Sequence, residues 1–225
     1  MTGSNIYTSG EYANKNHSYH IEDSEFKWSN FFKVLKNSII DFKKIISVTE
    51  VGCGSGQILV EAKKSGLFSY ECKFEGYDIN PDAINLAKKN SKEIDFFNED
   101  FVTSNKNKRN LIIAADVFEH VENSHNFLKE LKNKSDFFLF NIPLEISLLS
   151  MLRNKNIFEH SFEKVGHLHF YTNKTAILLL KSCGYEILNY EYANNRFKEF
   201  KDKKSFKQFL LSIPQYVVSI FNNNL

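Results

Sequence analysis

Three glycines at alternate positions, Gly52, Gly54 and Gly56, follow directly on an apolar run that closes with Glu50-Val51. A glycine loop between a buried strand and a helix brings main chain close to a ligand and turns helix N–H groups toward it. The residues beyond keep helix spacing through Ile58, Leu59 and Ala62 and stop near Gly66. On its own this turn specifies only a strand-to-helix corner, but the chain repeats the alternation. Short apolar runs recur at 45–51, 74–78, 94–97, 111–116 and 137–141. Runs of that length and continuity suit strands covered on both faces of a parallel sheet. Between them, Asn80-Pro81 places a capping side chain before a proline at a first helical position. The expected fold class is α/β, with a doubly wound, mostly parallel sheet flanked by helices.

Composition narrows the functions such a sheet can serve. With 225 residues, 42% of them hydrophobic, the chain can bury one sizeable core. A formal net charge of +2 is too small for a protein that neutralises a run of phosphates, so nucleic acid is not expected as a partner. The sequence has no apolar stretch long enough to span a bilayer, and residues 1–8 lack the basic-then-apolar plan of a signal peptide. Cys53, Cys72 and Cys183 form no CxxC pair, which points to a reducing, cytoplasmic setting.

Chemistry enters after the glycine loop. Asp78, about twenty residues on at the end of the second run, is placed to accept from both hydroxyls of a ribose. Asp100-Phe101 follows the third run, where a carboxylate and an aromatic could bracket an adenine. A dinucleotide fingerprint would need a third glycine at position 57, which is glutamine. That weighs against a nicotinamide-dependent oxidoreductase, the alternative enzyme class.

Taken in order, Glu50–Gly56, Gly76–Pro81, Glu99–Phe101, Asp116–Val121, Gly166–Thr172 and Cys183–Ile187 resemble the class I S-adenosylmethionine (SAM)-dependent methyltransferases. The resemblance implies a Rossmann-like core over 44–191, a substrate insertion at 144–170, an N-terminal lid and helix at 1–43 and a C-terminal helical segment at 192–225. It implies SAM as cofactor and S-adenosylhomocysteine (SAH) as product, bound by Glu50, Gly52, Cys53, Gly54, Gly56, Asp78, Ile79, Asp100, Phe101 and Asp116. It also implies a strand opening at Cys183–Ile187. The run 19–28 is similar to a subgroup often encoded beside bacterial capsule and surface-polysaccharide genes, so a sugar, or a phosphoramidate group on one, is the expected acceptor class. A SAM-binding module without catalysis is the remaining alternative.

Removing a proton from an acceptor hydroxyl calls for a base or a metal. Asp116, Glu119 and His120 leave one turn at the carboxyl end of the fourth run, where ligands of such sheets bind. With His167 they form the expected catalytic group. The spacing resembles an ExxEH metal motif with aspartate first, so an ion held by Asp116, Glu119, His120 and His167 is the lesser reading and no metal the preferred one. Against both stands the plainer possibility that Glu119 caps the next helix and His120 packs under a loop. His20, Lys27, Arg153 and His169 are the expected substrate contacts. The insertion also holds Lys155, His160 and Lys164, which suggests an anionic acceptor. Cys53 is small and has no paired base, so it reads as packing rather than as a thiol catalyst. The basic run 196–207 and apolar stretch 209–218 read as a helix packed on the body or on a partner subunit.

Overall fold

The structure, a computed structural model, describes residues 21–38, 40–104, 107–146 and 157–193. His20, Arg153, Lys155 and the C-terminal stretch from 194 onward lie outside the described residues.

All five apolar runs are strands: β1 (Ser47–Val51), β2 (Lys73–Tyr77), β3 (Asp95–Phe97), β4 (Arg109–Ala115) and β5 (Ser135–Asn141). They form one sheet in the order β3-β2-β1-β4-β5, with every neighbouring pair parallel. The order reverses between β1 and β4, which opens a crevice at their carboxyl ends. β1 starts two residues later than the apolar run, because Ile45 is buried while Ile46 is turned to solvent.

Among the described residues the α-helices are α1 (Ile21–Lys36), α2 (Gln57–Lys64), α3 (Pro81–Asn90), α4 (Phe101–Ser104), α5 (Ser124–Lys132), α6 (Ile157–His160) and α7 (Asn173–Ser182). Asn80 Oδ1 accepts from the N–H groups of Asp82 and Ala83, and Pro81 fills the first position of α3. α1 buries Trp28, Phe31 and Leu35 in a cluster that includes Leu59 of α2, Ile84 of α3 and Val48 of β1. At about 1.5–3 kcal/mol for each large apolar side chain, this face fixes α1 across the crevice. A second cluster gathers Phe118, Leu128, Tyr171, Leu180 and Tyr185.

The strand expected at Cys183–Ile187 is not formed. Gly184 adopts φ 85° after α7, and Tyr185 N–H bonds back to Leu180 O. The Tyr185 ring then inserts between α5 and β5, with its hydroxyl donating to Leu128 O at 2.8 Å and its face edge-on to Phe138 and Phe140. The segment where the resemblance implied a strand carries the Tyr185 plug instead. Among the described residues no helix is long and apolar enough to cross a membrane.

Candidate functional site

A cavity of about 710 Å³ occupies the crevice, within the range of small-molecule sites. One corner is built from main chain. The loop after β1 is laced to β2 through Gly52 and Cys53 N–H groups on Tyr77 O, at 2.8 and 3.0 Å. Gly56 needs its glycine: φ is 71°, and a Cβ there would stand 2.4 Å from Phe96 Cζ. Asp78 turns its carboxylate under this loop, accepting from Gly54 N–H (2.9 Å) and Asn80 N–H (2.8 Å). Burial raises the Asp78 pKa, and those N–H groups pull it back. Cys53 is buried and its thiol is pushed well up, chiefly by burial, so it is packing and not a nucleophile.

Glu50, Ile79 and Asp100 line the same corner, together with Phe101. Phe101 is 1% exposed and packs edge-on to Tyr77, so it forms floor rather than a standing aromatic face. Glu50 is buried, with its pKa raised well above the usual carboxylate range by burial, and it accepts from Leu59 N–H. Among the described residues lining the cavity there are seven acidic side chains, Glu50 among them with its pKa raised by burial, and one ammonium, Lys27. A donor set of that sign suits a positively charged ligand.

The opposite corner is built from side chains. Asp116 ends β4 with φ 54°, unusual for a non-glycine residue. Its carboxylate accepts from Asn141 Nδ2 and pairs with Lys27 Nζ at 2.7 Å, which brings α1 over the cavity mouth. Burial works against the Lys27 ammonium, but Asp116, Asp23 and Glu50 together offset it and its pKa is raised. A 3₁₀ turn, Phe118–His120, follows. Phe118 anchors it between Phe140 and Tyr171.

Main-chain bonds from Leu168 and His169 to Glu119 O lay the 166–169 segment across this turn. The His120 and His167 rings therefore meet at 4.7 Å between centroids. His120 Nδ1 lies 3.1 Å from Gly166 O, and His167 Nδ1 lies 2.9 Å from Glu145 Oε2. Burial, then the neighbouring His167, pulls the His120 pKa down to about 4. Glu119 is fully buried, its two carboxylate oxygens have no hydrogen-bond partner among the described residues, and burial raises its pKa well above the usual range. Glu119 does not cap α5, because Asn123 does, accepting from Asn126 N–H.

The expected sites are thus partly gathered and partly separated. Lys27, Asp116, His120 and His167 line one cavity with the glycine loop and Asp78. His169 is not among the lining residues; its Nε2 is spent on Val121 O and Glu122 O, at 2.8 and 3.2 Å. The expected metal set loses Asp116, which is engaged by Lys27 and Asn141, and keeps Glu119, His120 and His167. Glu145 escaped the sequence reading. It stands just past the carboxyl end of β5, a position that should have drawn notice. With Glu159 and Glu163 it also matches the charge of Arg153, Lys155 and Lys164, so the insertion is not a net basic loop.

Residues 29–190 match the family model described as a methyltransferase domain. No curated protein sequence matches the chain. Among solved structures, human N-acetylserotonin methyltransferase in complex with SAM aligns with TM-score 0.58 and 20% identity, over 84% of this chain and 55% of that one. The magnesium protoporphyrin IX methyltransferase of Synechocystis with bound SAH aligns with TM-score 0.57 and 15% identity, over 83% and 88%. A Haloferax volcanii complex between the Trm112 methyltransferase activator and a methyltransferase gives TM-score 0.57 and 13% identity, over 77% and 76%. These likenesses carry the fold, and the family match excludes the oxidoreductase alternative. The chain belongs to the methyltransferase-domain family.

Proposed function

We propose that the enzyme transfers the methyl group to an oxygen of a small, anionic, carbohydrate-linked acceptor in the cytoplasm, in the building of capsule or surface polysaccharide. A phosphoramidate-bearing sugar is the leading candidate. The observation that carries the reading is one cavity that runs from the Asp78 corner to the imidazoles of His120 and His167. The resemblance of residues 19–28 supports the polysaccharide setting; residues 1–20, expected as part of a lid, lie outside the described residues.

SAM, when bound, supplies a methyl group on a sulfonium. Asp78 is set to hold the ribose hydroxyls, and Glu50 and the glycine loop its methionine end. Asp100 and Phe101 border the adenine. The excess of carboxylates favours a cationic cofactor, and Lys27 shields Asp116 at the mouth. His120 and His167 act on the acceptor oxygen, drawing its proton aside, while the walls position it in line and exclude water.

Transfer of labelled methyl from SAM to a panel of sugar phosphates, phosphoramidate sugars and neutral sugars tests the proposal. Labelling of the anionic members is expected. Labelling of neutral sugars alone would overturn the acceptor class. Tight SAH binding with no transfer to any member would favour a module without catalysis.

A further inference from the structure

We propose that Glu119, His120 and His167 form a binding site for one divalent first-row metal ion. Their candidate ligand atoms lie within 4.8 Å of one another, and His120 Nε2 is 3.9 Å from Glu119 Oε1. Both imidazoles are set in the form a metal requires. A carbonyl oxygen only accepts, so the 3.1 Å contact with Gly166 O puts the His120 proton on Nδ1 and the lone pair on Nε2. Glu145 does the same for His167, and its other oxygen accepts from Ser161 Oγ, which fixes it behind the ring. A carboxylate or carbonyl on the outer nitrogen is the usual support of a ligating histidine.

Glu119 supplies the independent observation. It is a fully buried carboxylate facing two imidazoles, with neither oxygen hydrogen-bonded among the described residues. Two buried carboxyl oxygens without partners are costly in either protonation state, and coordination to a cation would satisfy both. Two imidazoles and one carboxylate favour manganese, iron, cobalt or zinc over magnesium or calcium, and leave positions open for a further ligand. Ligands about 2.1 Å from one ion stand roughly 3–3.5 Å apart, so the side chains would close by about 1 Å on binding. With both Nε2 lone pairs on the ion the imidazoles would not act as bases; the ion itself would attract an anionic acceptor and lower the pKa of its hydroxyl, in a cavity whose lining is otherwise acidic. That role rests on the methyl-transfer reading, whereas binding itself does not.

The test titrates MnCl₂ into chelator-treated full-length protein and follows unbound Mn²⁺ by its electron paramagnetic resonance signal. One ion per chain is expected, with affinity falling at least tenfold in Glu119→Gln and in His167→Ala, and about tenfold in Glu145→Gln. Magnesium should compete poorly. SAH affinity measured on each variant reports folding, and either ligand variant alone suffices. Absence of stoichiometric binding, or equal affinity in the folded variants, overturns the site. Methyl transfer that resists chelation would then leave the proposed function standing. Mn²⁺ binding without transfer to any acceptor would keep the site and remove the function.

Discussion

The two corners of the cavity are made of different material. At the glycine loop most contacts come from backbone: Gly52, Cys53 and Gly56 are held by main-chain bonds, Gly52 and Gly56 also by lack of space for a Cβ, and Gly54 by the Asp78 carboxylate. At the histidine corner they come from side chains of segments far apart in the chain: Glu119 and His120 after β4, Glu145 after β5, and His167 ahead of α7. A backbone corner is lost with its glycines or with the one carboxylate that braces it, Asp78, and tolerates changes of its other neighbouring side chains. A side-chain corner can lose one group and keep its fold.

That contrast gives predictions in order of size. His120→Ala should cut methyl transfer by about 10²–10⁴-fold, roughly 3–5 kcal/mol, in steady-state assays with labelled SAM. A fully active variant would remove His120 from the chemistry. Gly56→Ala should cost about 2–4 kcal/mol of stability, since the new methyl group meets Phe96 and the residue must hold φ 71°. A urea midpoint equal to the parent's would show that the loop gives way. His169→Ala should cost about 1 kcal/mol in the same urea series, the value of its bonds to Val121 and Glu122 carbonyls, with transfer reduced less than tenfold. A larger loss of transfer would return His169 to the substrate.

The same contrast explains what the sequence disclosed. Strands and glycine loop are local signals: an apolar run, a turn, a capped helix. All five strands and the Asn80 cap could be read that way. Asp116, Glu119 and His120 share one turn, so their grouping was legible too. Glu145 meets His167 across 22 positions, through a segment whose path no periodicity records. His167 and His169 alternate along extended chain and so point apart, one to the cavity and one to the 121–122 carbonyls. At Cys183–Ile187, the strand that the family resemblance implied gives way to the Tyr185 plug, because tertiary packing decides the path of the chain there.

Calorimetric titration of SAH into the parent, Asp78→Ala and His120→Ala proteins tests the division most directly. Asp78→Ala should weaken binding by about 2 kcal/mol, roughly thirtyfold, as charge-assisted bonds to the ribose are lost. His120→Ala should bind SAH within about twofold of the parent. Unchanged affinity in Asp78→Ala, or a loss in His120→Ala as large as that at Asp78, would contradict a cavity split into a backbone-built cofactor corner and a side-chain-built transfer corner.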